Sequence, residues 1–338
     1  MTKGLPSAKQ LSARVADLAK DEGLAIRRVR KRVATIALIQ LFNIARRDGR
    51  LPAFLVKGGR ALEFRFGALA RSSRDVDIVI DSDKAMILDA AVVALRDEWS
   101  GFRFAPRKGL QEREHSYVLE IGADYNGADW TSFEVELVYG AVERWDDIPV
   151  VGLDRLGLEA TTEIPCMTAA EQIAQKLHAV SDPAEDRPRD LYDIYLFDTQ
   201  LELDDPALFE AAVREFERRG THAWPPEIAL RDGWEAALSE LLANDGLPVT
   251  VEAIVGAVKS LVLRLHGVSM AAGYKYMFVV LEGLDHTPTV IETAVAVGAS
   301  LENFTRLTEQ EGWRLAHLLP YPARDRTRAM LAVLEKEV

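Results

Sequence analysis

Cysteine is nearly absent from the 338-residue sequence, in which Cys166 is the only one. A single thiol cannot form an intrachain disulfide or a cysteine-based zinc site, and such cysteine usage is typical of a reducing interior. A membrane span requires an apolar run of about 18 residues, and the sequence has none. It also has no stretch of signal-peptide type near its start. We therefore expect a cytoplasmic protein that is not inserted in a membrane.

Positive charge is also in short supply, because 41 Lys and Arg stand against 53 Asp and Glu and give a net charge of −12. This excess of acid argues against a protein that binds any polyanion regardless of its sequence. The sign is not uniform, since residues 27–32 read RRVRKR and Arg46, Arg47 and Arg50 follow. This basic segment has two interpretations, a solvated helix face and a contact with phosphates, and both stay open.

Several common catalytic signatures are missing as well. The sequence has no GxxxxGK[ST] phosphate loop, no HExxH zinc pair and no GxSxG nucleophile elbow. The six histidines show no short metal-ligand spacing, and His178 is predicted to be a packing or surface residue of a helix. None of these three chemistries is indicated.

Hydrophobic periodicity predicts the elements of the first half of the chain. Helical spacing is present at about 7–20 and 24–47, and FLVKGG followed by RALEFRFG predicts a strand, a Gly-Gly turn and a helix. The segments 75–80 (DVDIVI), 116–125 and 131–139 alternate polar and apolar residues, as half-buried strands do. An Asn-Gly pair between the last two predicts a hairpin. We therefore expect a mixed sheet with helices.

Beyond Pro165 the pattern becomes helical, in MTAAEQIAQKLHAV, PRDLYDIYLF and further amphipathic stretches that continue to the C-terminus. A loop with glycines and Pro165 indicates a domain boundary near 160–165. The predicted organisation is N-terminal helices at 1–50 that pack on the core, a sheet-containing core at 51–162 and a helical C-terminal domain at 163–338.

Two acids stand out in the segment RSSRDVDIVI. Asp75 and Asp77 are two apart on the predicted strand, so their carboxylates project from one face, with α-carbons about 6.6–6.8 Å apart, while Val76 and Ile78 form the apolar face. Like charges on one surface raise each other's pKa unless a cation neutralises them, and Mg²⁺ prefers such hard oxygen ligands. A metal site is one interpretation and a solvated strand edge is the other.

A second acidic pair repeats this pattern in FEVELVYG. Glu134 and Glu136 project from one face of a predicted strand, and Phe133, Val135 and Leu137 from the other. Either glutamate can supply a third metal ligand, and a solvent-facing strand is again the alternative.

Gly58 and Gly59 end one strand and begin a helix. Glycines at this position allow backbone N–H groups to approach a phosphate closely, where the helix dipole favours negative charge. A Gly-Gly pair alone is a weak signal, and its value depends on the acids that follow it.

Lys176 borders the apolar stripe of its predicted helix, three residues from Ile173 and four from Val180. Its ammonium group can snorkel to solvent. The alternative is a contact with a nucleotide phosphate or with an acid such as Asp190 or Asp193, which share one helix face. Asp190 can equally be the N-cap of its helix, so Asp193 is harder to explain by structure alone.

These motifs together resemble the AbiEii/AbiGii toxin family, a branch of the polymerase-β-like nucleotidyltransferases. KGGRALEFRFGALARSSRDVDIVI is similar to its KGG-x-AL and R-x-S-x-D-x-D segment. AAEQIAQKLHAV and RPRDLYDIYLF are similar to its two later helices. The resemblance covers roughly residues 10–200. It departs from the wider superfamily at Gly59, where a serine is usual, so backbone amides would have to hold the phosphate.

The resemblance implies a fold and a role for individual residues. The implied fold is α+β, with a polymerase-β-like nucleotidyltransferase core of mixed twisted sheet and flanking helices, followed by a mainly helical C-terminal domain that contributes a lysine and an aspartate to the active site. The implied metal ligands are Asp75, Asp77 and Glu136, with Glu134 as the alternative third acid. The implied catalytic residues are Asp75, Asp77, Glu136, Lys176 and Asp193. The implied nucleotide-binding residues are Lys57, Gly58, Gly59, Arg71, Ser73, Lys176 and Asp190.

The resemblance also implies the reaction and its partners. The expected cofactor is Mg²⁺ or Mn²⁺, the substrate is an NTP, and an NMP is transferred to an acceptor hydroxyl. The 3′ end of tRNA is the expected acceptor, so the basic segment at 27–32 is a candidate RNA contact, and a cognate antitoxin is the expected partner. A nucleotidyltransferase that modifies a small molecule or a protein, and a non-catalytic nucleotide-binding module, are the alternatives.

Overall fold

The chain is described by a computed structural model over residues 4–159, 162–269, 274–282, 314–321 and 329–337. It divides into two compact units, Met1–Thr168 and Ala169–Val338. No helix in these described ranges is both long enough and apolar enough to cross a membrane.

The first unit combines four helices with a mixed sheet over its described residues. The helices are α1 (Ala8–Asp21), α2 (Ile26–Arg47), α3 (Gly58–Phe66) and α4 (Lys84–Ala94). The strands are β1 (Phe54–Lys57), β2 (Asp75–Ile80), β3 (Phe102–Pro106), β4 (Gln111–Glu112), β5 (Ser116–Tyr125), β6 (Ala128–Tyr139), β7 (Asp146–Ile148) and β8 (Ile164–Cys166). The helices and strands expected from periodicity in this half are confirmed.

Local sequence explains where several of these elements begin and turn. The Ser7 side chain accepts from the Gln10 N–H and the Gln10 side chain accepts from the Ser7 N–H, a capping box that starts α1. Asn126 and Gly127 both have positive φ, 49° and 79°, as a tight turn between β5 and β6 requires. The predicted Asn-Gly hairpin is therefore confirmed.

Strand order in the sheet is β3-β5-β6-β2-β1-β8-β7, with β4 paired to β5. The pairs β2/β6 and β1/β8 are parallel, and the other pairs are antiparallel. Strand β2 thus lies inside the sheet, between β6 and β1. Its Val76 and Ile78 are fully buried in the main core with apolar residues of α1 and α2, so the opposite face of β2 carries the polar side chains.

Cys166 ends the short strand β8 and pairs in register with Val56 of β1. It is fully buried, and burial raises the pKa of its thiol to about 12 because the thiolate would be desolvated. The cysteine therefore belongs to the core.

The second unit begins with helices and ends with strands. Its helices are α5 (Ala169–Ser181), α6 (Pro188–Gln200), α7 (Asp205–Arg219), α8 (Trp234–Asp245) and α9 (Val251–Ser269). Its strands are β9 (Tyr274–Glu282), β10 (Arg314–Tyr321) and β11 (Ala329–Glu337), an antiparallel sheet of order β10-β11-β9. The expected α+β class with a mainly helical second part is confirmed.

The three C-terminal strands differ from the expectation of amphipathic helices through to the end of the chain. Segments such as YKYMFVVLE are short apolar runs, in which periodicity does not separate a buried strand from a helix. Their aromatic and β-branched residues favour the strand.

Candidate active site

Four carboxylates lie on one face of the sheet because β2 and β6 run parallel and in register. Asp75 is paired with Glu134 and Asp77 with Glu136, and directly paired residues project from the same face. Asp75 and Glu134 are exposed, whereas Asp77 and Glu136 are half-buried. We refer to these four residues as the acid face.

Gly58 lies against the acid face, at the point where β1 ends and α3 begins. Antiparallel pairing places Lys57 opposite Asp77, so the next residue approaches the Asp77 carboxylate. Gly58 has φ +67°, and a Cβ there would overlap Asp77 Oδ2. Both the left-handed backbone and the lack of space require glycine at this position.

Gly59 brings the helix start against the segment that precedes β2. A Cβ on Gly59 would lie 3.0 Å from Ser73 Oγ and 3.4 Å from an Arg71 guanidinium nitrogen. Ser73 is buried, and its hydroxyl lies 3.1 Å from the Asp75 carbonyl oxygen and 3.2 Å from Asp75 Oδ1. The structure thus brings together the first unit's predicted site residues: Lys57, Gly58, Gly59, Arg71, Ser73, Asp75, Asp77 and Glu136, with Glu134 beside them.

A buried ion cluster holds the segment that leads into β2. Glu63 is 3% exposed, and its Oε1 accepts from the Ser73 N–H at 3.1 Å and lies 3.2 Å from Arg28 Nε. Its Oε2 pairs with Arg60, which also donates to the Ser73 carbonyl at 3.1 Å. We refer to Arg28, Arg60 and Glu63 as the Glu63 ion cluster. It fixes Ser73, and through Ser73 it orients Asp75.

The basic segment 27–32 is mostly engaged within the molecule. Arg28 Nη2 donates to the Ala70 carbonyl at 2.5 Å, in addition to its contact with Glu63. Arg32 pairs with a Glu22 carboxylate oxygen at 2.6 Å. Arg28 and Arg32 therefore bind groups within the protein. A solvated helix face does not describe these two side chains.

Two further cations of this segment, Arg30 and Lys31, contact other residues of the first unit. The guanidinium of Arg30 lies 4.2 Å from the ring centroid of Trp130. Lys31 donates to the Arg74 carbonyl oxygen. Desolvation, aided by repulsion from Arg60, lowers the pKa of Lys31 to about 8, although Asp75 and nearby acids oppose the shift. Lys31 is thus a cation near the acid face, a position that the basic segment 27–32 does not reveal in the sequence.

Glu136 has two partners from the neighbouring β5 region. Ser116 Oγ donates to Glu136 Oε1 at 2.5 Å, and Arg113 Nη1 lies 3.3 Å from the same oxygen. Neither partner was predicted, because the register of β5 against β6 is not readable from alternation alone. These contacts orient one of the two glutamates.

Lys176 of α5 is buried in the second unit with two acids of α6. It is 8% exposed, and its Nζ lies 2.5 Å from Asp190 Oδ1 and 2.7 Å from Asp193 Oδ2. The contact with both acids agrees with one of the two interpretations of Lys176 and does not separate Asp190 from Asp193. We refer to these three residues as the Lys176 cluster.

The histidines have no short metal-ligand spacing in the sequence, but the fold brings two of them together with an aspartate. His178, Asp182 and His222 each offer a ligand atom, and these atoms lie within 4.8 Å of one another. The spacing of His178 and Asp182, one helical turn apart, was visible in the sequence. His222 is far away in the chain and is brought in by the fold.

The protein has the fold of nucleotidyltransferases. It combines a mixed sheet, paired acids on adjacent strands and a helix that begins at a Gly-Gly pair. Over 77% of this chain and 90% of the other, the structure is similar to MenT4, a nucleotidyltransferase toxin from Mycobacterium tuberculosis H37Rv, with a TM-score of 0.54 and 19% sequence identity. At this identity, the likeness shows the shared fold.

The sequence assigns the chain more narrowly. Residues 41–254 match the family described as Nucleotidyl transferase AbiEii toxin, Type IV TA system. The chain belongs to this family of nucleotidyltransferase toxins, as the motifs predicted.

Other solved structures are less similar. The antibiotic-resistance factor ANT(2'')-Ia matches with a TM-score of 0.32 and 16% identity, over 56% of this chain and 94% of that one. An antigenic nucleotidyltransferase-like protein from Paracoccidioides brasiliensis matches with a TM-score of 0.34 and 14% identity, over 66% and 96%. A comparison with curated proteins gave no match.

Proposed function

We propose that this toxin transfers an NMP from an NTP to an acceptor hydroxyl in a metal-dependent reaction. The observation that carries the proposal is the acid face, with Asp77 and Glu136 in register beside the Gly58 helix start. Carboxylates and phosphates are both negative, so a site that joins them needs a cation between them. Family membership supports the nucleotidyltransferase reaction itself.

The donor atoms of the acid face fit Mg²⁺ or Mn²⁺. Asp75, Asp77 and Glu136 offer carboxylate oxygens, which are the ligands that these hard cations prefer. When bound there, the cation neutralises charge on the phosphates and polarises the oxygens that react. We propose Glu136 as the third acid because it is half-buried, pairs with Asp77 and is oriented by Ser116.

The first turn of α3 is the proposed binding place for the triphosphate. The N-cap residue Lys57 makes no capping bond with its own side chain, and the N–H groups of the first turn can donate to phosphate oxygens. The guanidinium of Arg71 is next to Gly59 and adds positive charge, as does Lys57 opposite Asp77. Ser73, whose hydroxyl contacts Asp75, orients a metal-binding carboxylate.

The Lys176 cluster is proposed to take part in the same reaction. The family resemblance assigns Lys176 to the triphosphate, and Asp190 and Asp193 hold its ammonium group in one position. A lysine fixed in this way loses little side-chain entropy when it binds a phosphate. Asp193, at 1% exposure, is the more deeply buried of the two acids.

The proposed acceptor is RNA, with the 3′ end of tRNA as the substrate. The support is the family resemblance, which implies growth arrest through blocked aminoacylation in the cytoplasm. A cognate antitoxin is proposed as the partner, since the family description names a type IV toxin–antitoxin system. Arrest during abortive infection is the corresponding biological role.

A transfer assay tests the reaction and its acceptor separately. The full chain is incubated with each of the labelled NTPs, with and without total tRNA, in Mg²⁺ or in a chelator. We expect label on tRNA from at least one NTP, and no transfer in the chelator. Label on the protein or on a small-molecule acceptor, with none on tRNA, would overturn the RNA proposal. Absence of NTP turnover with every acceptor would leave a non-catalytic module.

A further inference from the structure

Three side chains of the second unit converge on the hydroxyl group of Thr221. Its Oγ1 lies 3.0 Å from His178 Nε2, 2.8 Å from Asp182 Oδ2 and 3.0 Å from His222 Nδ1. The hydroxyl donates its one proton to Asp182, so each imidazole nitrogen either donates to Oγ1 or faces it with a lone pair. The proposed transfer reaction uses none of these residues, so their convergence needs its own explanation.

The positions of the three residues are fixed by backbone structure. His178 lies on α5, and the Asp182 N–H donates to the His178 carbonyl at 2.9 Å, which continues the helical spacing by one turn. Residues four apart on a helix share a face. Thr221 and His222 follow the end of α7 and complete the group from a second segment.

The surroundings of these imidazoles resemble those of metal-binding histidines. His222 Nε2 lies 2.7 Å from Ser181 Oγ, so the ring nitrogen turned away from Thr221 has a polar partner. Such a partner fixes the tautomer and the ring orientation of a ligating histidine. The ring of Phe216 packs at 5.0 Å from His178 and 4.9 Å from His222, between centroids, so one side of the group is apolar.

We propose that His178, Asp182 and His222 form a transition-metal site for Zn²⁺, which we refer to as the histidine site. Two imidazole nitrogens and one carboxylate oxygen are a three-ligand set that zinc accepts, with a fourth position left for water. Rotation of the Thr221 side chain about χ1 would remove its hydroxyl from the centre of the group. Thr221 is exposed and His222 half-buried, so an ion can reach the site from solvent.

The histidine site differs in chemistry from the acid face. Its nitrogen ligands favour zinc, whereas the acid face offers oxygen alone and favours magnesium. A bound ion would join the end of α5 to the segment after α7, and α5 also carries Lys176. The site therefore stabilises the second unit independently of the transfer reaction.

Metal titration of the full chain tests the histidine site directly. Protein stripped with a chelator is titrated with Zn²⁺ in competition with a chromophoric chelator, and with Co²⁺ to follow visible d–d absorption. We expect one ion per chain, and His222→Gln or Asp182→Asn to weaken Zn²⁺ binding by about 100-fold or more, above the loss typical of an outer-shell change. Absence of Zn²⁺ binding by the wild-type chain would overturn the site.

Matched variants separate this site from other ligands. Thr221→Val keeps the shape and the three ligands but removes the hydroxyl, so Zn²⁺ affinity should change by less than about 10-fold, the lower bound for an outer-shell partner. His115→Gln removes an exposed histidine of the first unit, and the double variant Asp75→Asn with Asp77→Asn removes the oxygen site. Both should bind Zn²⁺ as the wild type does. Equal binding by His222→Gln would place the ion elsewhere and refute the proposal.

A measurement on the wild-type chain avoids any dependence on how the variants fold. His178 and His222 are modified with diethylpyrocarbonate and quantified by mass spectrometry. Zn²⁺ should protect His222 from modification, and Mg²⁺ at the same concentration should not. Equal modification with and without Zn²⁺ would contradict the site.

Discussion

The acid face and the Lys176 cluster both gather carboxylates, but their carboxylates are held in different ways. On the acid face, sheet register sets the spacing, and each of the four acids is exposed or half-buried. In the Lys176 cluster, one buried ammonium group lies between two aspartates, 2.5 and 2.7 Å from them. The first arrangement leaves carboxylates accessible to a ligand, and the second uses them to neutralise a buried charge.

This difference predicts opposite effects of mutation. A partly solvated carboxylate among like charges adds little to stability, so its removal should affect activity far more than folding. Removal of one partner from a buried ion pair leaves an uncompensated charge, so it should affect folding directly.

Asp77→Asn should abolish most of the activity and leave the fold intact. A neutral amide cannot replace a metal-binding carboxylate, and we expect kcat/KM for NMP transfer to fall by about 10,000-fold, or about 5.5 kcal/mol. The urea midpoint should change little, because Asp77 is half-buried and the amide keeps the size of its side chain. Transfer above a tenth of the wild-type rate would refute the role of Asp77.

Lys176→Met should destabilise the chain by about 3–5 kcal/mol, because the buried Asp193 and the half-buried Asp190 would lose the ammonium group that lies between them. Urea unfolding measures the effect. The matched control is Lys108→Met, which breaks a surface pair with Glu120 and should leave the urea midpoint nearly unchanged. Adding Asp193→Asn to Lys176→Met should restore part of the stability. Equal midpoints for the two lysine variants would show that the Lys176 cluster does not stabilise the fold.

Gly58→Ala should reduce transfer by about 100- to 1,000-fold, because its Cβ would push the Asp77 carboxylate out of place. Gly23→Ala is a matched control, since Gly23 has φ +68° and no atom within 4 Å of its added Cβ. Both alanines should cost about 1–2 kcal/mol of stability through backbone strain, but only Gly58→Ala should affect kcat/KM. A similar rate for the two variants would show that the contact with Asp77 is unimportant.

Glu136→Gln compared with Glu134→Gln identifies the third acid. We expect Glu136→Gln to lower kcat/KM by about 100-fold and Glu134→Gln by less than about 3-fold, since a metal ligand contributes several kcal/mol and an exposed carboxylate much less. A Mg²⁺ titration of both variants shows whether the loss is one of metal affinity. The reverse order would assign the role to Glu134.

The pH dependence of stability tests the position of Lys31, and its effect should be the smallest. Because the pKa of Lys31 falls from 10.5 to about 8 on folding, the unfolded chain binds more protons between these values. The free energy of unfolding should therefore gain a rising contribution from about pH 8 to 10.5, and none below it. Lys31→Met should flatten this rise in denaturant titrations. An unchanged slope would place Lys31 in solvent.

Sequence patterns predicted the local structure around the acid face well. The alternation of DVDIVI fixes which side chains share a face, and Asn126-Gly127 fixes the hairpin. Family motifs supplied the rest of the expectation, and the register of Asp77 with Glu136 then followed from the strand order of the folded sheet. Nothing local in the sequence encodes that order.

Contacts between distant segments could not be predicted in the same way. The Glu63 ion cluster joins Arg28 to Glu63, and a basic helix segment alone gives no sign of a buried acid that follows 35 residues later. The same reason applies to His222, which reaches His178 only after α6 and α7 have folded back. Such contacts depend on how distant segments pack together, and the hydrophobic periodicity of each segment does not predict that packing.

The burial of Cys166 has a practical consequence. A sole thiol with a pKa of about 12 reacts slowly with alkylating reagents at neutral pH. A cysteine introduced at a solvent-facing residue such as Val151, which is 84% exposed, would therefore accept a fluorophore or spin label alone. The native chain is thus ready for single-site spectroscopy without removal of its own cysteine.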